Sequence, residues 1–189
     1  MRQLILASAS PRRRELLQGL APEFLVVPSR FEEKTGGRTA RETAGFFAQK
    51  KAEEVFGRYP DALVLGADTV VAYGDEILGK PKDEADAARM LRLLSGKSHS
   101  VFTGICLVGK DENNRDVAVR DVVETRVTFS VLTEEFIARY VASGSPMDKA
   151  GAYGIQDGGL VERYEGSYTN VVGLPTERLA ELFEELGIC

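Results

Sequence analysis

Apolar runs of strand length alternate with amphipathic helical patterns along the chain, and this alternation most limits the folds that the sequence can adopt. Predicted strands cover residues 3–8, 23–28, 62–73, 76–80, 99–109 and 117–131. Predicted helices cover 11–20, 83–94 with Asp83 as its cap, and 133–143, and two further helices begin at a capping box of Thr39 and Glu42 and at Pro175. The glycine-rich run DKAGAYGIQDGG leads into two more extended stretches. Several neighbouring strands form apparent hairpins, such as the turn at Gly74-Asp75, so the sequence predicts a mixed sheet of the α/β or α+β class.

The chain has 189 residues, of which 43% are hydrophobic, and it contains no internal repeat or linker, so we expect a single domain spanning residues 1–189. No segment approaches the roughly 20 apolar residues of a membrane span. The N-terminal apolar run is too short for a secretory signal. These features predict a cytoplasmic protein that does not contact a membrane.

Charge and cysteine content exclude several function classes. A net charge of −5 argues against binding to a nucleic acid polymer. Cys106 and Cys189 do not form a disulfide framework, and the single His99 cannot complete a zinc site with them. Local clusters of arginine and lysine in an acidic chain indicate one anion-binding pocket.

The first helix begins with an unusual charge pattern, SASPRRRELL. Ser10 is a typical N-cap and Pro11 a typical first residue, yet three arginines follow at the positive end of the helix dipole. A phosphate bound by Arg12, Arg13 and the hydroxyls of Ser8 and Ser10 explains the pattern; a solvated basic turn is the alternative. If the arginines serve only the ligand, their replacement by Ala leaves stability unchanged or slightly higher.

Asp68 lies inside the apolar run VLGADTVVAY. A carboxylate in a buried strand is unfavourable unless it is paired or functional. Asp68 is therefore either a catalytic carboxylate or a core residue whose oxygens accept hydrogen bonds from nearby backbone N–H groups. Two weaker signals accompany it: the loop Gly79-Lys80-Pro81-Lys82, and a predicted strand from Asp148 to Gln156, whose spaced glycines favour close approach of the backbone to a ligand. Solvated lysines and a bulged strand are the respective alternatives.

Together the motifs SASPRRRELL, GADTVV, GKPKD, LSGKSHSVFTG, PMDKAGAYGIQ and NVVGLP resemble, in this order, the Maf family of nucleoside triphosphate pyrophosphatases. The resemblance runs from about residue 3 to the last helix. It implies an α/β fold like that of the inosine triphosphate pyrophosphatases, with an elongated mixed sheet, flanking helices and two lobes around a nucleotide cleft. It also implies hydrolysis of a nucleoside triphosphate to the monophosphate and pyrophosphate, aided by a divalent cation.

The resemblance also implies a substrate branch. Arg12, Thr69 and Gln156 match the positions that are typical of the dTTP and UTP branch. The branch that acts on methylated GTP carries a tryptophan, a glutamine and a glutamate there instead. A methylated-GTP pyrophosphatase, and a nucleotide-binding regulator of cell division with vestigial activity, are the alternative functions. A homodimer is an expectation from the family alone.

Site roles follow from the same resemblance. Asp68 matches the family's proton acceptor, and its use as a metal ligand is the alternative. Glu32 and Glu33 are candidates for holding Mg²⁺ or Mn²⁺ through oxygen ligands. Thr69 and Gln156 have groups that can bind a pyrimidine edge. The remaining candidates contact the triphosphate, and they are Ser8, Ser10, Arg12, Arg13, Lys51, Lys80 and Lys149.

Overall fold

The computed structural model describes residues 3–34, 36–111 and 114–188. Its strands are β1 (Leu4–Leu6), β2 (Leu25–Val26), β3 (Leu63–Tyr73), β4 (Glu76–Leu78), β5 (Ser98–Lys110), β6 (Asp116–Phe129) and β7 (Val161–Glu165). Its α-helices are α1 (Pro11–Gln18), α2 (Ala40–Arg58), α3 (Glu84–Leu94), α4 (Glu134–Ala142), α5 (Tyr168–Val172) and α6 (Thr176–Leu186). None of these helices combines the length and apolar character that crossing a membrane requires.

The strands form one seven-stranded mixed sheet in the order β2-β1-β3-β5-β6-β7, with β4 also paired to β3. β1 is parallel to β2 and β3, whereas the other pairs are antiparallel. The predicted mixed sheet is therefore confirmed. The first two strands are shorter than predicted: β1 ends where the chain enters the turn before α1, and β2 spans only Leu25–Val26.

Three apolar clusters lie along the sheet, of which one packs α2 against it and two define lobes. The first lobe packs α1 and α6 around Leu6, Leu65 and Leu179. The second lobe packs α3 and α4 around Leu91 and Phe129. The long strands β3, β5 and β6 connect the lobes, which confirms the predicted two-lobed arrangement.

Helix α2 lies directly against the middle of the sheet because two glycines remove the side chains that would hold it away. A Cβ added at Gly66 would lie 2.2 Å from the carbonyl oxygen of Ala48, and one at Gly104 would lie 2.2 Å from that of Ala44. The predicted capping box of Thr39 and Glu42 fixes the start of this helix. Close packing thus brings the middle of α2 over β3.

Two predicted extended segments adopt other conformations. The glycine-rich segment folds into short 3₁₀ turns at Ser145–Asp148, Ala150–Ala152 and Ile155–Asp157, because Gly151 and Ala152 have positive φ angles of 70° and 61°. The second of the two extended stretches predicted after it is the short helix α5, whose N-cap Ser167 accepts a hydrogen bond from the backbone N–H of Asn170. Both differences place turns and a helix end, instead of strands, beside the middle of the sheet.

Candidate active site

A gap in the pairing of β3 lies beside a cleft. On one edge, β3 pairs with β1 at residues 63–65 and with β4 at residues 71–73. Between these pairs, residues 66–70 have no strand partner on that edge within the described parts of the chain. A cleft of about 660 Å³ opens there, between the two lobes. Asp68 lies at the centre of the gap.

Asp68 is buried, with 7% of its surface exposed, and it forms an ion pair with α2. Its Oδ1 accepts a hydrogen bond of 2.6 Å from Lys51 Nζ, which also lies 2.5 Å from Oε1 of Glu33. Burial raises the pKa of Asp68, although Lys51 and Arg13 act against this effect. Desolvation and specific charge partners in a cleft are typical of a functional carboxylate.

Arg13 joins three segments at the wall of the cleft. Its Nε donates to the carbonyl oxygen of Gly173 at 2.8 Å, Nη1 donates to Ser8 Oγ at 3.2 Å, and Nη2 donates to Thr69 Oγ1 at 3.0 Å. Burial of the guanidinium lowers the pKa of Arg13. These contacts show that Arg13 stabilises the fold around the cleft, so its removal is not expected to leave stability unchanged.

The other candidate phosphate ligands line the same cleft from both lobes. Arg12 Nη1 lies 3.0 Å from Asp148 Oδ2 across the cleft. Lys149 Nζ donates to the backbone oxygen of Ser145 and to Asp148 Oδ1. Lys80 is exposed on a loop that is tied to the 3₁₀ turns by a hydrogen bond from the Gly151 N–H to the Gly79 carbonyl oxygen. The structure therefore brings together cations that are far apart in sequence.

The two predicted serines organise the turn into α1. Ser8 Oγ accepts hydrogen bonds from the backbone N–H of Ser10 and from Arg13. Ser10 Oγ accepts from the Arg13 backbone N–H, as predicted for an N-cap. Both residues line the cleft, so the start of α1 lies beside it.

The predicted base-reading residues lie in the cleft, but their surroundings differ. Thr69 Oγ1 contacts Thr103 Oγ1 at 2.9 Å as well as Arg13. Gln156 is exposed on the last 3₁₀ turn, and its amide lies so close to Gly154 that a Cβ there would be 2.9 Å from Gln156 Nε2. Gln156 therefore has the more accessible polar group of the two.

Only one of the two predicted metal ligands lies in the cleft. Glu33 lines it beside Lys51, whereas Glu32 has a side chain that is 83% exposed and pairs with Lys34. Among the described residues, no group of three or more His, Cys, Asp or Glu residues has the arrangement of a metal site. Glu33 and Asp68, which share Lys51, still fit Mg²⁺, because this ion is commonly bound by one or two carboxylates together with substrate phosphates.

Sequence reasoning missed the polar residues that support the cleft from behind the sheet. Thr103 donates to the backbone oxygen of Asn170 at 2.8 Å, and the buried Asn170 amide donates to Val101 and Thr125. This network holds the end of α5, where Gly173 accepts from Arg13. The NVVGLP motif contains Asn170 and Gly173, but the segment was predicted to be an extended strand, so their role at the end of a helix was not recognised.

A buried histidine supports the aromatic wall of the cleft in the second lobe. His99 Nε2 lies 2.7 Å from the hydroxyl of Tyr153, which lines the cleft, and burial lowers the pKa of His99 to about 4. The unfolded chain binds a proton below pH 6.5, whereas the folded protein does not until about pH 4. The folded state is therefore destabilised as the pH falls through this window.

We expect His99 alone to lower the free energy of unfolding by about 2 kcal/mol between pH 7.5 and pH 5. Chemical denaturation across this range, compared with the His99→Gln variant, measures the effect. The variant should show a flatter dependence on pH. Parallel curves for the two proteins would contradict the prediction.

Comparison with known proteins agrees with this geometry. The model of the Maf-like protein family matches residues 3–186. A protein of Agathobacter rectalis named dTTP/UTP pyrophosphatase is 46% identical over 203 residues, covering 100% of this chain and 99% of its own. One of the same name from a Geobacillus species is 47% identical over 190 residues, covering 99% of this chain and 100% of its own.

A solved structure supports the fold. The HAM1 protein from Coxiella burnetii matches with a TM-score of 0.50 and 19% identity, covering 98% of this chain and 100% of its own. This likeness concerns the fold alone, and it confirms the predicted two-lobed mixed α/β architecture. With its sequence matched over nearly its full length, the chain belongs to the Maf-like protein family.

Proposed function

We propose that this chain hydrolyses nucleoside triphosphates to the monophosphate and pyrophosphate, with dTTP and UTP as preferred substrates. The observation that carries the proposal is the buried carboxylate of Asp68, which lies in a cleft lined by cations from both lobes. The relatives named dTTP/UTP pyrophosphatase support the substrate class. Release of pyrophosphate from dTTP or UTP tests the proposal.

In this reaction Asp68 is the general base. Its raised pKa brings its basicity closer to that required to take a proton from water near neutral pH. Lys51 donates to Oδ1, which fixes the orientation of the carboxylate and leaves Oδ2 for a water. The attack of that water on the α-phosphorus, in line with the leaving pyrophosphate, then depends on positioning and charge neutralisation.

The cations of the cleft offset the charge of the phosphates. Arg12, Lys80 and Lys149 approach from different segments, and the start of α1 adds backbone N–H groups. A divalent cation held by Glu33, with Asp68 as the alternative ligand, would supply further positive charge at the phosphates. Pyrophosphate is stabilised as a leaving group by the same charges.

Gln156 is the residue that we propose for selecting the base. Its amide offers a donor and an acceptor, which suits the acceptor-donor-acceptor edge shared by uracil and thymine but not that of cytosine. We expect dTTP and UTP to be cleaved with similar kcat/KM and CTP to be at least about tenfold poorer. Gln156→Glu should reduce this difference, because a carboxylate only accepts hydrogen bonds.

Measurement of kcat/KM for dTTP, UTP, CTP and 7-methyl-GTP on both proteins tests the base preference. Glu162→Gln is the control, because it also exchanges a carboxylate and an amide but at an exposed position on β7. It should not change the order of the four kcat/KM values. Equal activity on CTP and UTP, or the highest activity on 7-methyl-GTP, would contradict the assignment of the base while leaving pyrophosphate release intact.

A further inference from the structure

One ion pair crosses the cleft between the two lobes. Arg12 belongs to α1, which packs in the first lobe through Leu17, and Asp148 ends the 3₁₀ turn that packs in the second lobe through Met147. Arg12 Nη1 donates to Asp148 Oδ2 at 3.0 Å, although the residues are 136 positions apart. The contact therefore joins two residues that line the cleft from different lobes.

The second oxygen of the same carboxylate is also engaged. Asp148 Oδ1 accepts a hydrogen bond of 2.9 Å from Lys149 Nζ, whose side chain is only 11% exposed. Partial burial acts to raise the pKa of Asp148, but the hydrogen bonds from Lys149 and Arg12 outweigh it and the pKa lies below its ordinary value. The carboxylate is thus charged at neutral pH and holds two cations as two phosphate oxygens would.

Stability does not explain this arrangement. The side chain of Asp148 is 62% exposed and that of Arg12 is 26% exposed, so water screens the pair, and ion pairs of this kind contribute about 0–1 kcal/mol to folding. The negative charge also lies in a cleft that has to accept a strongly anionic ligand, where like charges repel. A carboxylate at this position makes binding of the ligand less favourable.

We propose that Asp148 is an internal competitor for the phosphate-binding cations, which occupies Arg12 and Lys149 in the empty cleft and promotes release of pyrophosphate after hydrolysis. The part of this proposal that concerns product release rests on the proposed function. The exchange itself is simple: the incoming phosphate replaces the Asp148 carboxylate as the partner of Arg12, and the carboxylate binds Arg12 again when the product leaves.

Binding of inorganic pyrophosphate to the full chain, measured by titration calorimetry at low salt, tests the exchange without requiring catalysis. We expect Asp148→Asn to bind pyrophosphate about three- to fivefold more tightly than the unmodified protein. Asp116→Asn is the matched control, because Asp116 is an exposed aspartate that pairs with Lys110 and does not line the cleft. The control should change the affinity by less than about twofold.

A second pair of proteins isolates the competition. In an Arg12→Ala background, Asp148→Asn should tighten pyrophosphate binding by less than about twofold, because only Lys149 remains for the carboxylate to occupy. Unchanged or weaker binding by Asp148→Asn, an undiminished gain without Arg12, or no binding of pyrophosphate by any of the proteins would overturn the proposal.

The assay of dTTP hydrolysis separates this proposal from the proposed function. Tighter pyrophosphate binding without any hydrolysis would support the exchange and contradict the proposed function. Hydrolysis together with unchanged pyrophosphate binding would leave the function intact and overturn the role of Asp148.

Discussion

Asp68→Asn is expected to lower the turnover of dTTP by about 10²–10⁴-fold, the usual effect of removing a positioned base. The amide has nearly the same shape as the carboxylate but cannot accept the proton of the attacking water. Lys51 keeps Glu33 as an ion-pair partner, so the variant does not leave a buried cation without a counter-charge. The fold and the affinity for the triphosphate should therefore change little.

Initial rates with dTTP, thermal melting and nucleotide titration separate these effects. Asp116→Asn is again the matched control and should retain the full rate. A normal rate in Asp68→Asn would show that Asp68 is a structural residue. A lost rate accompanied by a large fall in melting temperature would also count against the base assignment, because unfolding would then explain the loss.

Arg13→Ala is expected to destabilise the protein by about 3 kcal/mol, because it removes three hydrogen bonds, to Ser8, Thr69 and Gly173, that each contribute about 1 kcal/mol. For a chain of this size, the melting temperature should fall by about 6–12 °C. Arg12→Ala should shift it by little, because Arg12 makes one ion pair with an exposed aspartate.

Thermal and denaturant unfolding without ligand compares the two variants. Arg13→Lys is the informative control, since it keeps the charge but cannot form the three directed contacts of the guanidinium, and it should recover only part of the stability. If Arg13→Ala and the unmodified protein have the same melting temperature, the arginines bind the ligand and do not stabilise the fold, as the charge pattern of the sequence first suggested.

Local sequence signals predicted the elements whose ends are fixed by side chains close in sequence. The Ser10 N-cap and the capping box of Thr39 and Glu42 are formed as predicted. Asp83 also caps α3 as predicted, by accepting from the backbone N–H of Asp86. In each case the donor and acceptor lie within three residues, so the sequence contains the whole interaction.

The same signals were insufficient where contacts between distant segments determine the conformation. From the sequence, Arg13 was interpreted as a phosphate ligand. Its hydrogen-bond partner Gly173 lies 160 residues away at the end of α5, so the local sequence could not indicate this contact. The segment around Gly151 was expected to be a strand because alternation of glycine and apolar residues does not reveal positive φ angles. The gap at residues 66–70 of β3 depends on how far β1 and β4 extend, which composition does not specify.

The site was therefore predictable as a set of residues but not as a geometry. The family resemblance and the charge of the expected substrate together made Lys51, Asp68 and Gln156 candidates, and all three line the cleft. It did not indicate that Lys51 bridges Asp68 and Glu33, or that Glu32 faces away towards Lys34. These relations depend on the rotation of α2 and on the path of the loop before it.

The identity of the products formed from dTTP is the most direct test of the proposed function. Phosphorus NMR of a reaction with the unmodified protein should show the monophosphate and pyrophosphate appearing in equal amounts, and no signal of the diphosphate. Asp68→Asn at the same concentration should leave dTTP intact over the same time. Formation of the diphosphate with inorganic phosphate, or binding of dTTP without any product, would contradict the account.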